Sequence, residues 1–521
     1  MNVRVDRVRA SLWLVGVVGL VLVSAWSVRS LYSTPEQIAG YASILDVSPA
    51  MENVNRAMNG PGFGFDDPNV GVVLANEIGL WGGVSFALMA IFLMARHTRG
   101  EEESGRVELV RSRPAGRHAP LAAAATLVLI AQLVAGSAVL IGLAAMGFDA
   151  VGAGALSLAF VAVGCVFAAA TAVSAQVLST GRATIGVGLG AFGIAFVLRA
   201  IGDMGSGSLS WLSPLGWVHR VRPFAGEQWW VLSLSLGSSL FGAWLTWFLA
   251  AHRDLGSGMV AQSLGPDRAK GLTTHTLGLL IRLQRGSIVA WTLGVSLLGL
   301  AYGAVAADIE EVFADNPDLE RFIPTGGSSA VDAYLAYTLS LGALLTCAAA
   351  IASILRLRRE EVEGRAELVL AHPVSRWSWL GRHLVVAAGT AVLALGASGV
   401  GTGVGVAMSS GEPGRIVRLT GASLALLPLP VVLVGFTTFM VGALPRFAAA
   451  SWASLAFVVV VAILGDVFNL AGWVRSISPM EHLSQLPAEG FDPVIFGLVS
   501  VSGALLAMLG AVAYRRRDVP S

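Results

Sequence analysis

Twelve apolar runs, each close to the roughly 20 residues that a helix needs to cross a bilayer, leave this chain little choice of fold. They lie at about 11–28, 73–95, 120–147, 151–178, 183–202, 229–251, 287–307, 333–355, 384–408, 418–444, 447–465 and 493–514. Hydrocarbon offers the backbone no hydrogen-bond partner, and runs of this length exceed a barrel strand, so helices are the expected form. With 55% hydrophobic and 13% charged residues, a soluble core could not hide such a surface. The expected class is an all-α polytopic membrane protein with twelve transmembrane helices.

The first run, with its basic start and small residues near Val23 to Ala25, also has the look of a signal peptide, but it reads as a retained span. Cys165 and Cys347 both fall inside spans, which implies packing rather than a disulfide framework. Arginine sets the orientation. Segments 96–119 and 356–382 hold six arginines each, whereas 307–332 has only Arg321 against seven acids and 30–72 has Arg56 against five. The arginine-rich loops are therefore expected in the cytoplasm, and with an even number of spans both termini join them. The outer segment 30–72, with "NGPGFGFDDPN", reads as a lid or a spacer.

The two arginine-rich loops are copies. "EEESGRVELVRSRPAGR" (101–117) aligns with "EEVEGRAELVLAHPVSR" (360–376) with nine identities in 17 positions, at an offset of 259. Further pairs follow in order: Arg182 with Arg446, Gly202-Asp203 with Gly465-Asp466, Ser213-Pro214 with Ser478-Pro479, and Arg253-Asp254 with Arg517-Asp518. The chain thus reads as two parallel six-span halves, 1–251 and 287–521, joined by a linker at 252–286. Within the linker, "LTTHTLGLLIRLQRGS" is expected to form an interfacial helix. Each copied loop, ending at Pro114 or Pro373, reads as a short amphipathic helix on the cytoplasmic surface. Two equivalent loops suggest two docking sites for a two-fold partner.

Several chemistries are disfavoured. Glu77, Arg199, Glu227, Asp332 and Asp466 sit at span ends, where snorkelling or hydration explains them, so no mid-bilayer acid marks a proton path. A phosphate-binding loop requires a lysine within G-x-x-x-x-G-K-[ST]. The single lysine, Lys270, precedes Gly271 in no such motif, so any ATPase must be another polypeptide. No His/Glu/Asp cluster suggests a catalytic or metal site. A secondary-active multidrug carrier stays open as the alternative, although the Asp before Gly-Arg in the short second loop of major facilitator carriers is missing.

The pattern E-x-x-x-G-x-x-E-L-x-x-x-x-P, the Ser-Pro after the fifth span and the Arg-Asp after the sixth resemble the permeases of type-2 ATP-binding-cassette (ABC) exporters. Two fused halves, with Gly-Arg where Gly-Thr is common, look most like the tetronasin-type branch that exports polyketide antibiotics. The resemblance implies a type-2 ABC exporter fold in a bacterial plasma membrane, with two copies of an ATPase subunit that hold ATP and Mg²⁺ and no cofactor in this chain. It implies that Glu102, Gly105, Arg106, Glu108 and Pro114, with Glu361, Gly364, Arg365, Glu367 and Pro373, form two coupling helices that transmit ATPase closure to the spans.

It also implies a hydrophobic drug-like cargo, a lipid surround, no nucleic acid, and a path lined by spans two, five, eight and eleven. Phe86, Phe92, Phe192, Phe196, Tyr337, Trp452 and Phe457 are the candidate liners. Segments 203–228 and 466–492 correspond to outer re-entrant elements, where His219, Arg220, Arg222 and His482 read as solvated interfacial residues.

Overall fold

A computed structural model describes residues 2–45, 49–112, 116–253, 258–260, 271–309, 329–464 and 470–517. Pro114, Asp254, Lys270, Arg321, Gly465, Asp466 and Asp518 lie outside the described residues. The described chain carries twelve helices long and apolar enough to cross a membrane. In order they are Ala10–Leu31, Val70–Glu103, Ala119–Ala145, Ala150–Val177, Gly181–Met204 and Trp229–Ala251, then Thr276–Ala304, Ala330–Val362, Arg376–Ser410, Arg415–Ala443, Pro445–Ile463 and Pro493–Arg516. They belong to two compact units, Met1–Gly265 and Pro266–Ser521.

Burial repeats from one unit to the other. The second and fourth spans are 72% and 67% buried and the eighth and tenth 78% and 61%, which makes the same two positions the central helices of each unit. The sixth and twelfth spans, each 17% buried, leave most of their apolar surface for lipid. Polar groups also join helices: Gln132 of the third span is fully buried and its Nε2 donates to the Phe86 carbonyl of the second at 3.1 Å.

The interfacial helix expected at 272–287 is not a separate element. Thr276–Ala304 is one helix of 29 residues, because nothing between Leu277 and Ser287 breaks the i to i−4 ladder. The second and eighth helices likewise run past their apolar stretches into the charged loops, ending at Glu103 and Val362.

The described parts of segment 30–72 pack on the second and fifth spans. The helix Pro35–Leu45 brings the Tyr41 hydroxyl onto the Glu77 carboxylate, and Asn76 Nδ2 donates to that same hydroxyl at 2.9 Å. Arg199 Nη2 donates to the Arg56 carbonyl at 2.6 Å, and its Nε pairs with Asp203 at 2.7 Å. Two of the charges expected to be solvated are therefore internal. Arg199 is fully buried because Asp203 one turn later and the Arg56 carbonyl replace its water.

His219 is a second correction. It lies buried in the helix Pro214–Arg220 because glycine at positions 60 and 79 makes room; a Cβ at either would come within 2.5 Å and 2.7 Å of its ring. Arg220 donates to the Gly207 carbonyl and stacks over Trp211 at 4.3 Å, so it too is held by protein. Arg222 and His482 stay exposed as expected. Burial, reinforced by Arg199 and Arg220, pushes the His219 imidazole down to about 3. Between that value and the ordinary histidine pKa near 6.5, the unfolded chain binds a proton that the folded chain refuses. Stability should thus be complete above pH of about 6.5 and fall as pH drops toward 3. Thermal unfolding of the solubilised protein checks this: His219→Gln should flatten the slope by on the order of 1 kcal/mol per pH unit.

Candidate functional site

The site is built twice from the ends of the second and eighth helices. Each helix leaves its span through two glutamates and then turns at a glycine in the left-handed region, Gly105 at φ +70° and Gly364 at φ +71°. Such a turn favours a residue without Cβ. The two turns are closed by the same bond: Gly105 N donates to the Glu102 carbonyl and Gly364 N to that of Glu361, both at 3.0 Å. A six-residue helix follows each, Arg106–Arg111 and Arg365–Leu370. Val107 and Ala366 anchor these helices inward, whereas Glu108 and Glu367 point outward and are exposed.

Beneath each helix lies the same ion-pair brace. In the first unit Glu102 accepts from Arg253 Nη2 at 2.5 Å and Nη1 at 3.1 Å, and from Arg99 Nη1 at 2.8 Å. In the second, Glu361 accepts from Arg517 Nη2 at 2.5 Å and from Arg358 Nη1 at 3.0 Å. Arg106 pairs with Glu101 at 3.3 Å and Arg365 with Glu360 at 2.5 Å. Arg117, just before the third span, and Arg376, at the start of the ninth, close each brace by donating to the carbonyls of Arg253 and Arg517, at 2.7 Å and 2.6 Å. Each copied loop is thereby tied to the end of the last span of its own unit.

The first unit has two further ties. Arg99 Nε donates to the Ala175 carbonyl at 2.5 Å, and Glu103 accepts from Gly181 N at 2.8 Å, which links the loop to the fourth and fifth spans. Glu102 and Glu361 are thus internal struts, with side chains 16% and 0% exposed. The outward face belongs instead to Glu108, Glu367, Val362, Leu368 and Pro373. Sequence reasoning did not assign Arg99, Arg253, Arg358 and Arg517 to the site. The Arg-Asp pairs that close both halves carried the signal, since an arginine repeated beside a repeated glutamate invites a pairing.

Within their own units the aromatic candidates differ in burial and in ring partners. Phe86 is fully buried against Phe160, with ring centroids 5.4 Å apart, and so belongs to the core of its unit. Phe92 stacks on Trp13 at 5.7 Å, and Phe192 sits between Phe167 at 5.7 Å and Phe196 at 6.4 Å. Tyr337 and Phe457 are half-buried and Trp452 is exposed on the helix Ser451–Leu464. Among the described residues no group of three or more His, Cys, Asp or Glu side chains could hold a metal.

Twelve spans in two like units, with a braced loop repeated in each, define a polytopic membrane protein. The family described as the C-terminal domain of the multidrug efflux system permease Rv1217c matches residues 274–515. Along its whole length the chain is 37% identical, over 529 aligned residues, to the multidrug efflux system permease protein Rv1217c of Mycobacterium tuberculosis, covering 94% of that protein. The chain belongs to this family of permeases. The similarity supports that assignment and not the tetronasin-type branch that the motifs resembled.

Proposed function

We propose that this chain is the membrane subunit of an ATP-driven ABC exporter, which docks two copies of a separate ATPase on its two repeated loops and moves hydrophobic drug-like compounds out across a bacterial plasma membrane. The name of its relative, a multidrug efflux system permease, supports the class of cargo. The observation that carries the reading is the duplicated brace, because a docked partner needs a rigid lever as well as a surface. A push on the helix Arg106–Arg111 or Arg365–Leu370 reaches the last span of its unit through Glu102 and Arg253 or Glu361 and Arg517. The exposed Val362 and Leu368, 69% and 71% exposed beside Glu367, suit a partner groove with an apolar floor and a basic rim. ATP and Mg²⁺ would sit in the partner, and both termini of this chain in the cytoplasm.

The test is gentle isolation of the tagged chain from its native membrane, followed by identification of co-purifying proteins and an ATP hydrolysis assay. Wild type should bring down a nucleotide-binding subunit at two copies, and Glu108→Arg/Glu367→Arg should lose it and at least about tenfold of the drug-stimulated hydrolysis. Both residues are exposed and outside the brace, so the variant should stay folded. A chain that purifies alone, exports drug on a proton gradient and ignores the double change would make it a secondary carrier instead.

A further inference from the structure

The two braces are alike, but the space behind them is not. In the first unit a cavity of about 280 Å³ lies between the repeated loop and the ends of the second, third, fourth and sixth spans. Its wall includes Arg117, Arg253, Glu102, His97, His118 and Gln176, with Val107, Leu121 and Ala250 supplying apolar surface. Carrying the repeat through to the second unit puts Trp379 at the place of Pro120, Tyr514 at that of Ala250 and Met440 at that of Gln176. Trp379 and Tyr514 are 2% and 1% exposed and share one buried cluster with Leu357 and Leu380. One copy of the site is therefore stopped with aromatic rings while the other is open and lined with cations and hydrogen-bonding groups.

The lining states what the open copy would hold. Arg253 is neutralised in part by Glu102, but Arg117 spends one donor on the Arg253 carbonyl and, among the described residues, has the rest of its guanidinium fork to offer an oxyanion. His118 Nδ1 is buried without a hydrogen-bond partner among the described residues. The His118 ring lies 5.6 Å from that of Trp247, which is 54% exposed on the sixth span, followed by Phe248 at 44% and preceded by Trp244 at 54%. A polar, basic chamber thus opens beside an aromatic strip that faces lipid, at the end of the spans where headgroups lie.

We infer that the cavity under the repeated loop of the first unit binds the phosphate headgroup of an anionic phospholipid, with its acyl chains along Trp244, Trp247 and Phe248. Arg117 and His118 hold the phosphate oxygens, and Thr98 and Gln176 offer further polar contacts from the second and fourth spans. Since the lipid would rest against the brace, it would stiffen one of the two loops and leave the other to its aromatic plug. The inference does not depend on the nature of the docked partner.

The full chain in nanodiscs, examined by native mass spectrometry and by exchange of fluorescent phosphatidylglycerol, tests it. Wild type should retain one phosphatidylglycerol against an excess of phosphatidylcholine. Ala250→Tyr, which copies the plug of the other unit, and Arg117→Gln/His118→Gln, which keeps the cavity open and removes the charge, should each weaken retention about tenfold, the scale of one charge-assisted hydrogen bond. Both variants are checked for a single monodisperse species, so that misfolding of one leaves the other to decide. Retention that neither variant alters would overturn the site. Inorganic phosphate that binds alone with the same sensitivity, and without lipid, would overturn the lipid as its occupant.

Discussion

Glu361→Ala is expected to cost about 3–4 kcal/mol, the scale of removing one partner from a buried ion pair, and so to lower the thermal midpoint of the solubilised protein sharply. The carboxylate is fully buried and holds two guanidiniums, those of Arg517 and Arg358, which are 12% and 21% exposed. Without it these cations face each other with little water to screen them. Glu102→Ala should cost less, about 2 kcal/mol, because its carboxylate is 16% exposed and Arg99 retains the Ala175 carbonyl. The discriminating measurement is a double-mutant cycle. Glu361→Leu/Arg517→Met should recover most of the loss, since an apolar pair of similar volume leaves only Arg358 to find water. If Glu361→Ala unfolds at the same temperature as wild type, the brace does not hold the loop and the lever described for it does not exist.

The repeated arginines hint at the pairing, but separation along the chain hides its geometry, because Glu102 and Arg253 stand 151 residues apart and Glu361 and Arg517 stand 156 apart. What the sequence does carry are the long apolar runs, which only helices can place in lipid, and the copied loops, whose identities include Gly105 and Gly364. Those glycines mark where the helices stop; hydropathy does not. Arginine and glutamate are good helix formers, so the eighth helix runs on through "RLRREEV" to Val362 well after its apolar stretch has ended. The same rule hid the fate of the interfacial segment before the seventh span, whose arginines simply extend the helix. His219 was misread for another reason. A histidine among tryptophans, prolines and arginines looks solvated, and only the empty space beside Gly60 and Gly79, distant in sequence, lets it be buried. The outward set, Glu108 and Glu367, was legible because a short amphipathic helix has one polar side whatever it packs against.

The largest effect outside the brace should come from the contact between the tenth and twelfth spans. A Cβ on Gly435 would lie 2.1 Å from the Gly503 carbonyl oxygen, and one on Gly442 the same distance from that of Gly510. Each pair is spaced by seven residues, two turns on a single face, so the two backbones touch along a line rather than at a point. The obstacle is main chain, and no rotamer change can relieve it. Gly442→Leu should therefore force the helices apart and cost at least about 3 kcal/mol, the upper end of overpacking in a close-packed interior. Gly497→Ala on the same twelfth span meets nothing within 4 Å and should be neutral or gain up to about 1 kcal/mol from helix propensity. The same displacement should reach the brace, because Gly510 lies two turns before Arg517 on one helix and its end. Yield of monodisperse protein and the unfolding midpoint compare the two variants directly. A Gly442→Leu protein as stable as wild type would mean that the tenth and twelfth helices are not in backbone contact, and that Arg517 is positioned by the loop alone.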